Sequence, residues 1–284
     1  MPELGVNLGF LIEESAQRLR RSGVADGRRE ARRILSDLAN ISMAELALSS
    51  CQTVDGSLTG KFERAIGRRC VGEPLAHVSG LCGFRQLTLV SDSRALIPRP
   101  ETEGLVDLLL QRVQSGRVVD VGTGTGCIAL SLAQEGHFEQ VFGIDCSAGA
   151  LDLARENVAR TALELTLVRG DLSGALGSET VDALVSNPPY LTEVEYRALE
   201  PSVLDWEPEE ALVSGADGMD ATMRLLEDGR RVVKPGGWLA LEVDCCRAAI
   251  AAKRASELGW NDVSVHMDLF GRERYLLAKR SNTR

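Results

Sequence analysis

The 284-residue sequence predicts an α/β fold: a doubly wound, mostly parallel sheet of seven strands, with a small N-terminal helical domain and a β-hairpin linker. Three observations carry that expectation. From about residue 100, short apolar runs alternate with 10–15-residue stretches of helical spacing, the pattern of βα repeats. The first 80 residues show helical periodicity alone. The run Gly122-Thr123-Gly124-Thr125-Gly126 follows directly on Val118-Val119-Asp120-Val121, as a tight strand-to-helix turn requires.

Taken in order, Leu8, Leu11, Ile12, Ala16 and Leu19 recur at helical spacing up to Ser22-Gly23. A second helix fits 26–39, with Ala31, Ile34, Leu35 and Leu38 on one face. Ser42, with Glu45 three residues on, predicts a capping box heading a helix over 43–49. A fourth helix fits about 57–70 before Gly72-Glu73-Pro74 breaks the pattern. Residues 83–97 alternate apolar and polar around Ser91-Asp92-Ser93, predicting a hairpin turning there. Strands then fit 117–121, 140–144, 164–168, 181–186, 238–243, 261–267 and 274–279. Helices fit 101–113, 126–135, 148–159, 218–232 and 246–258. The short Asp268–Arg272 turn makes the final strand antiparallel. Domains are therefore expected at 1–80 (helical), 81–99 (hairpin linker) and 100–284 (sheet).

Composition narrows the class. Apolar residues make up 44% and charged residues 26%, which excludes a disordered chain. No apolar run approaches the roughly 18 residues of a membrane span. Glu3 precedes any basic residue and no apolar leader core follows, so a cytoplasmic protein without membrane association is expected. Residues 1–80 hold 11 basic and 10 acidic side chains, whereas 81–284 hold 21 and 31. An acidic sheet domain gains little from phosphate neutralisation, so nucleic acid is not expected as a direct partner. Seven cysteines without CxxC spacing and three scattered histidines (His77, His137, His266) argue against a metal or a disulfide framework.

The glycine loop differs from the dinucleotide G-x-G-x-x-G pattern: it reads G-x-G-x-G, with Asp120 two residues before it. Asp145 ends the next strand, 25 residues beyond Asp120, where an acidic group binds ribose hydroxyls. Asp171 ends the third. All three at successive strand C-termini line one crevice, the place where open α/β sheets take ligands. With no Lys or Arg in the loop, an adenosine bearing a neutral or cationic tail fits better than a nucleotide diphosphate.

Asn187-Pro188-Pro189-Tyr190 ends the fourth strand, and two prolines force a turn there. A carboxamide or adenine NH2 is a poor nucleophile because its lone pair is delocalised. The Asn187 side-chain oxygen and the Pro188 carbonyl can each accept one N–H from it, favouring the more pyramidal nitrogen of a transition state. Tyr190 can pack on the planar group.

So assembled, the chain resembles the class I S-adenosylmethionine-dependent methyltransferases, through Asp120–Gly126, Asp145 and Asp171, with Asn187–Tyr190 marking their amino-methylating branch. It resembles in particular the release-factor glutamine methyltransferases (the HemK/PrmC family). Further carriers are Leu96–Glu103, Glu73-Pro74-Leu75, Glu207-Pro208, Gly215-x-Asp217-Gly218, Pro235-Gly236-Gly237 and Asp268-Leu269-x-Gly271-Arg272. The resemblance covers about 72–279 and implies methyl transfer from S-adenosyl-L-methionine to a glutamine amide of peptide-chain release factors, giving S-adenosyl-L-homocysteine. It also implies that Gly122, Thr123, Gly124, Thr125, Gly126 and Asp145 hold the methionine and ribose parts, that Asp171 and Leu172 flank the adenine, and that Asp120 and Asn187 belong to the cofactor site as well. Asn187, Pro188, Pro189 and Tyr190 would grip the glutamine amide, with Asn187, Pro188 and Tyr190 catalytic. No metal is implied, and a monomer is expected. Residues 241–247 read Leu-Glu-Val-Asp-Cys-Cys-Arg where the family shows LE-[IV]-G-x-x-Q, so Asp244 and Arg247 replace Gly and Gln.

Asn-Pro-Pro-Tyr suits any planar amine, so adenine-N6 methylation stays open as an alternative, and a non-catalytic cofactor-binding adaptor is a third. Arg18, Arg20, Arg21, Arg28, Arg29, Arg32 and Arg33 are interleaved with Glu13, Glu14, Glu30 and Asp37, which reads as a solvated helical face. Glu101 and Glu103 read as first-turn helix acids after Pro100. Cys127 reads as a packed residue rather than an activated thiol.

Overall fold

The computed structural model describes residues 6–49 and 53–282. Two compact units emerge. One comprises the described residues up to Leu81 with Glu200–Trp206; the other runs from Cys82 to Leu199 and from Glu207 onward.

In the first unit, β1 (Val6–Asn7) pairs antiparallel with β2 (Thr53–Val54), a ribbon too short to show in sequence periodicity. Its helices are α1 (Leu8–Arg21), α2 (Gly27–Ala39), α3 (Met43–Leu48), α4 (Gly56–Cys70) and α5 (Leu75–Ser79). The expected capping box exists: Glu45 N–H donates to Ser42 Oγ at 3.1 Å and Ser42 N–H to Glu45 Oε2 at 2.7 Å. Leu19, Ile34, Leu35, Phe62 and Ile66 are fully buried in one apolar cluster. That cluster is why the amphipathic stripes hold.

The second unit opens on a hairpin of β3 (Leu81–Phe84) and β4 (Leu87–Val90). The expected turn at Ser91–Ser93 is not the hairpin turn. The chain reverses at Arg85-Gln86 instead, with Arg85 at φ 51°, and no strand follows Val90 until residue 115. Arg85 tolerates the left-handed region because its side chain is held by Glu135 (2.6 Å) and Asp107 (2.7 Å), and its N–H by Glu103 (2.9 Å). The expected helix over 101–113 is shorter too: a 3₁₀ turn over Pro100–Thr102 leads into α6 (Glu103–Leu110).

The remaining elements are β5 (Ser115–Val121), α7 (Cys127–Glu135), β6 (His137–Asp145), α8 (Ala148–Thr161), β7 (Thr166–Arg169) and β8 (Val181–Ser186). After them come α9 (Glu193–Arg197), α10 (Pro201–Leu204, part of the first unit), α11 (Asp220–Val232), β9 (Val233–Glu242), α12 (Ala248–Glu257), β10 (Trp260–Met267) and β11 (Glu273–Arg280). The seven-stranded sheet has the order β10-β11-β9-β8-β5-β6-β7. Neighbours are parallel from β9 through β7, and β11 is antiparallel to both β9 and β10, as the short Asp268–Arg272 turn predicts. Pro235-Gly236-Gly237 lies inside β9 rather than before it, accommodated by a register irregularity between Val181 and Ala183 of β8.

Strands buried on both faces explain the near-continuous apolar runs. Val119, Leu184, Leu239 and Leu276 pack on one face; Val118, Ala183, Val185 and Leu277 pack on the other. Leu184→Ala is expected to cost about 2–5 kcal/mol, read as a lower urea midpoint at unchanged slope.

Candidate active site

Strand order reverses between β5 and β8, so the segments leaving these two strands part above the sheet and open a crevice. Val121 and Ser186 stand opposite each other in register, and the Ser186 hydroxyl donates to the Val121 carbonyl at 2.6 Å. The glycine loop and the Asn187–Tyr190 segment thus start side by side.

The loop is shaped by its backbone. Gly122, Gly124 and Gly126 have φ of 71°, 54° and 82°. A Cβ on Gly122 would meet nothing within 4 Å, so this residue leaves open space for a ligand. Gly122 N–H and Thr123 N–H both donate to the Ile144 carbonyl, and Gly124 N–H donates to Asp145 Oδ2 at 2.9 Å. Asn157 of α8 donates to the Thr125 carbonyl at 2.9 Å, a tie that helical periodicity could not single out.

Asp120 lies beneath the loop, fully buried. Its Oδ2 accepts from the Thr123 hydroxyl at 2.7 Å and from Ala129 N–H at 3.3 Å, while Oδ1 has no partner among the described residues. Burial pushes its carboxyl up to about 7. Cys127 is a packed residue: burial, then the Asp120 charge, pushes its thiol up to about 12.

The cleft between these segments has a volume of about 380 Å³, the size of a cofactor pocket. Gly122–Thr125, Asp145, Asp171, Leu172, Asn187 and Pro189 line it; Asp120, Gly126, Pro188 and Tyr190 do not. Three arginines line it as well, and each is already paired: Arg94 with Asp92 and Glu156, Arg99 with Glu207, Arg224 with Asp171. Asp145, Glu210 and Asp220 add negative charge to the wall. With no spare cation among the described residues, the cleft fits a cationic or neutral ligand tail rather than a phosphate chain.

Sequence reading missed the residues behind the clamp. Asn187 Nδ2 donates to Thr102 Oγ1 at 3.1 Å, and the Thr102 hydroxyl donates to Glu242 Oε2 at 2.7 Å. The Tyr190 hydroxyl donates to Glu242 Oε1 at 3.4 Å. Burial pushes the Glu242 carboxyl up to about 7 despite Arg274 at 3.9 Å, and pushes the Tyr190 phenol up as well. Glu207, buried, accepts from Ile97 N–H at 3.0 Å and from Arg99, pinning the 94–99 wall of the cleft.

The two residues that depart from the resembled pattern explain each other. Arg247 stands 3.3 Å from Asp244, 2.7 Å from Glu195, and donates to the Asp217 carbonyl at 2.6 Å. Contrary to the reading of the sequence, Asp244, Cys245 and Cys246 bring their ligand atoms within 4.8 Å of one another, a spacing that could hold a metal ion, and both thiols are exposed.

Comparison with known proteins agrees with this architecture. Residues 100–202 match the model of the methyltransferase small domain, and 11–80 match the PrmC N-terminal domain. A release factor glutamine methyltransferase of Deinococcus radiodurans is 36% identical over 279 residues, covering 97% of this chain and 99% of the relative. One from Streptomyces coelicolor is 33% identical, covering 95% and 97%. Among solved structures, a methyltransferase of Pyrococcus furiosus superimposes with a TM-score of 0.52 at 20% identity, over 68% of this chain and 88% of its own. That likeness is one of fold.

Proposed function

The chain belongs to the family of release factor glutamine methyltransferases, and we propose that it methylates a protein amide. The methyl group of S-adenosyl-L-methionine passes to N5 of the glutamine in the Gly-Gly-Gln motif of peptide-chain release factors, leaving S-adenosyl-L-homocysteine. One observation carries the reading. Asn187 lines the cofactor-sized cleft with its amide NH2 already engaged by Thr102. Its Oδ1, and the Pro188 carbonyl, accept no hydrogen bond from the described residues.

The residues fit the cofactor. Gly122 to Gly126, with Asp120 beneath them, would hold the methionine end; Asp145 would take the ribose hydroxyls; Asp171 and Leu172 would flank the adenine. Bound there, the sulfonium supplies an electrophilic methyl group. Asn187 Oδ1 and the Pro188 carbonyl each accept one N–H of the substrate amide, aiming its nitrogen and favouring the positive charge it develops. The amide nitrogen held there would give its lone pair to the new N–C bond, the S–C bonding pair would stay with sulfur, and one amide proton would leave to solvent. Pro189 stiffens the segment, and Tyr190 packs on the amide plane.

The helical first unit would dock the release factor, consistent with its match to the family's N-terminal domain. No helix among the described residues is long and apolar enough to cross a membrane. The reading takes the enzyme as cytoplasmic, metal-free and monomeric.

The test pairs methyl-labelled S-adenosyl-L-methionine with a release factor and with the same factor carrying alanine for its Gly-Gly-Gln glutamine. Label on the wild-type factor alone is expected. Label on neither, from protein that binds the cofactor, would redirect the assignment to a nucleic-acid amine.

A further inference from the structure

We infer that Thr102 and Glu242 are positioning residues that decide which end of the Asn187 amide faces the substrate. The inference rests on the amide-methylating reading of the cleft. An asparagine amide has two orientations of nearly the same shape, one presenting oxygen and the other NH2. Only the oxygen can accept from a substrate N–H, so a clamp in the other orientation would meet N–H with N–H.

The relay selects one orientation by counting protons. Above about pH 7, where Glu242 is ionised, its carboxylate only accepts, so Oε2 takes the single hydroxyl proton of Thr102, 2.7 Å away. The Thr102 oxygen is then left as an acceptor. At 3.1 Å it calls for the NH2 of Asn187, which turns Oδ1 the opposite way.

Each part of the relay is itself held. Thr102 and Glu242 are 2% and 1% exposed, so water does not compete for these groups. Thr102 N–H donates to the Arg99 carbonyl at 3.1 Å. The Tyr275 hydroxyl of β11 donates to the Glu101 carbonyl, fastening the 3₁₀ turn to the sheet. Gly104 makes room for that ring: a Cβ there would lie 2.6 Å from the Tyr275 hydroxyl. Arg274, held by Asp268 at 2.8 Å, stands 3.9 Å from Glu242 and supplies the countercharge. Because Glu242 also accepts from Tyr190, both ends of Asn187–Tyr190 are referred to one carboxylate.

The experiment compares wild type with Thr102→Val, Thr102→Ser and Glu242→Gln at about pH 8, where Glu242 is ionised, using labelled cofactor and release factor. Thr102→Val keeps the branched shape and removes the hydroxyl. It is expected to lower kcat about ten- to hundredfold while the cofactor KM stays within about twofold. Thr102→Ser restores the hydroxyl and most of the rate. Glu242→Gln, which offers a donor where the carboxylate only accepts, lowers kcat with the cofactor KM again unchanged.

A second readout does not depend on turnover. The Asn187 side-chain NH2 resonances should be shifted downfield and protected from exchange in wild type and Thr102→Ser, and should lose both properties in Thr102→Val. Wild-type kcat in Thr102→Val, or unchanged Asn187 resonances, overturns the relay. If the wild-type protein transfers no label, the functional reading falls, and the resonances still decide the relay.

Discussion

Asn187→Ala is expected to lower kcat for methyl transfer about a hundred- to thousandfold while cofactor affinity stays within about threefold. The asymmetry follows from what the side chain touches. Its NH2 is bonded to Thr102, and its carbonyl oxygen is the acceptor left for an incoming amide. The loop that would carry the cofactor is fixed independently, by Ile144, Asp145 and Asp120. An amide nitrogen is nearly planar in the ground state and acquires its positive character only as the new bond forms. The lost interaction is therefore strongest in the transition state and appears in kcat. Single-turnover transfer beside a cofactor titration checks it; equal loss in both would place Asn187 in cofactor binding instead.

The second expectation concerns Asp120. Its carboxyl sits at about 7 in the fold, against an ordinary value near 4. The folded state therefore binds more protons than the unfolded chain between those values, and stability falls as pH rises through that window. Below about pH 4 the effect is absent; above about pH 7 it is complete, on the order of 4 kcal/mol. Glu242, also at about 7, adds a contribution of the same sign. Asp120→Asn keeps an oxygen for Thr123 and Ala129 and removes the buried charge. It should raise Tm by several degrees at pH 8 and little at pH 5. At pH 8, where Asp120 is ionised, the same substitution should also weaken cofactor binding several-fold, because it removes a negative charge beneath the loop. Thermal scans at the two pH values, with a cofactor titration, check both halves. A Tm gain as large at pH 5 as at pH 8 would contradict the burial argument.

Legibility in the sequence tracked the range of the interactions. Gly122–Gly126, Asp145 and Asn187–Tyr190 announced themselves because a turn, a strand end and a double proline are local chemistry. The parallel order of the strands followed from βα alternation in the same way. The hairpin turn misled for the opposite reason. Ser91-Asp92-Ser93 has turn residues, while Arg85-Gln86 has none, and Arg85 is held at positive φ by Glu103, Asp107 and Glu135, which lie 18, 22 and 50 residues away. Thr102 and Glu242 were illegible on the same grounds. One reads as a residue of a helix's first turn and the other as the end of an apolar strand, and only the fold brings partners 140 positions apart to 2.7 Å. Glu207, 110 positions from Ile97, is another instance.

The paired arginines of the cleft bear on how often the enzyme can work. Methyl donation converts a sulfonium into a thioether, so the fresh cofactor carries one more positive charge than the spent one. With Arg94, Arg99 and Arg224 neutralised by their own partners, the wall's remaining charge is the negative charge of Asp145, Glu210 and Asp220. Such a wall should favour the sulfonium over the neutral thioether. The same electrostatics that disfavour a phosphate chain are therefore expected to make S-adenosyl-L-homocysteine the weaker ligand, which paired titrations of the two cofactor forms would read.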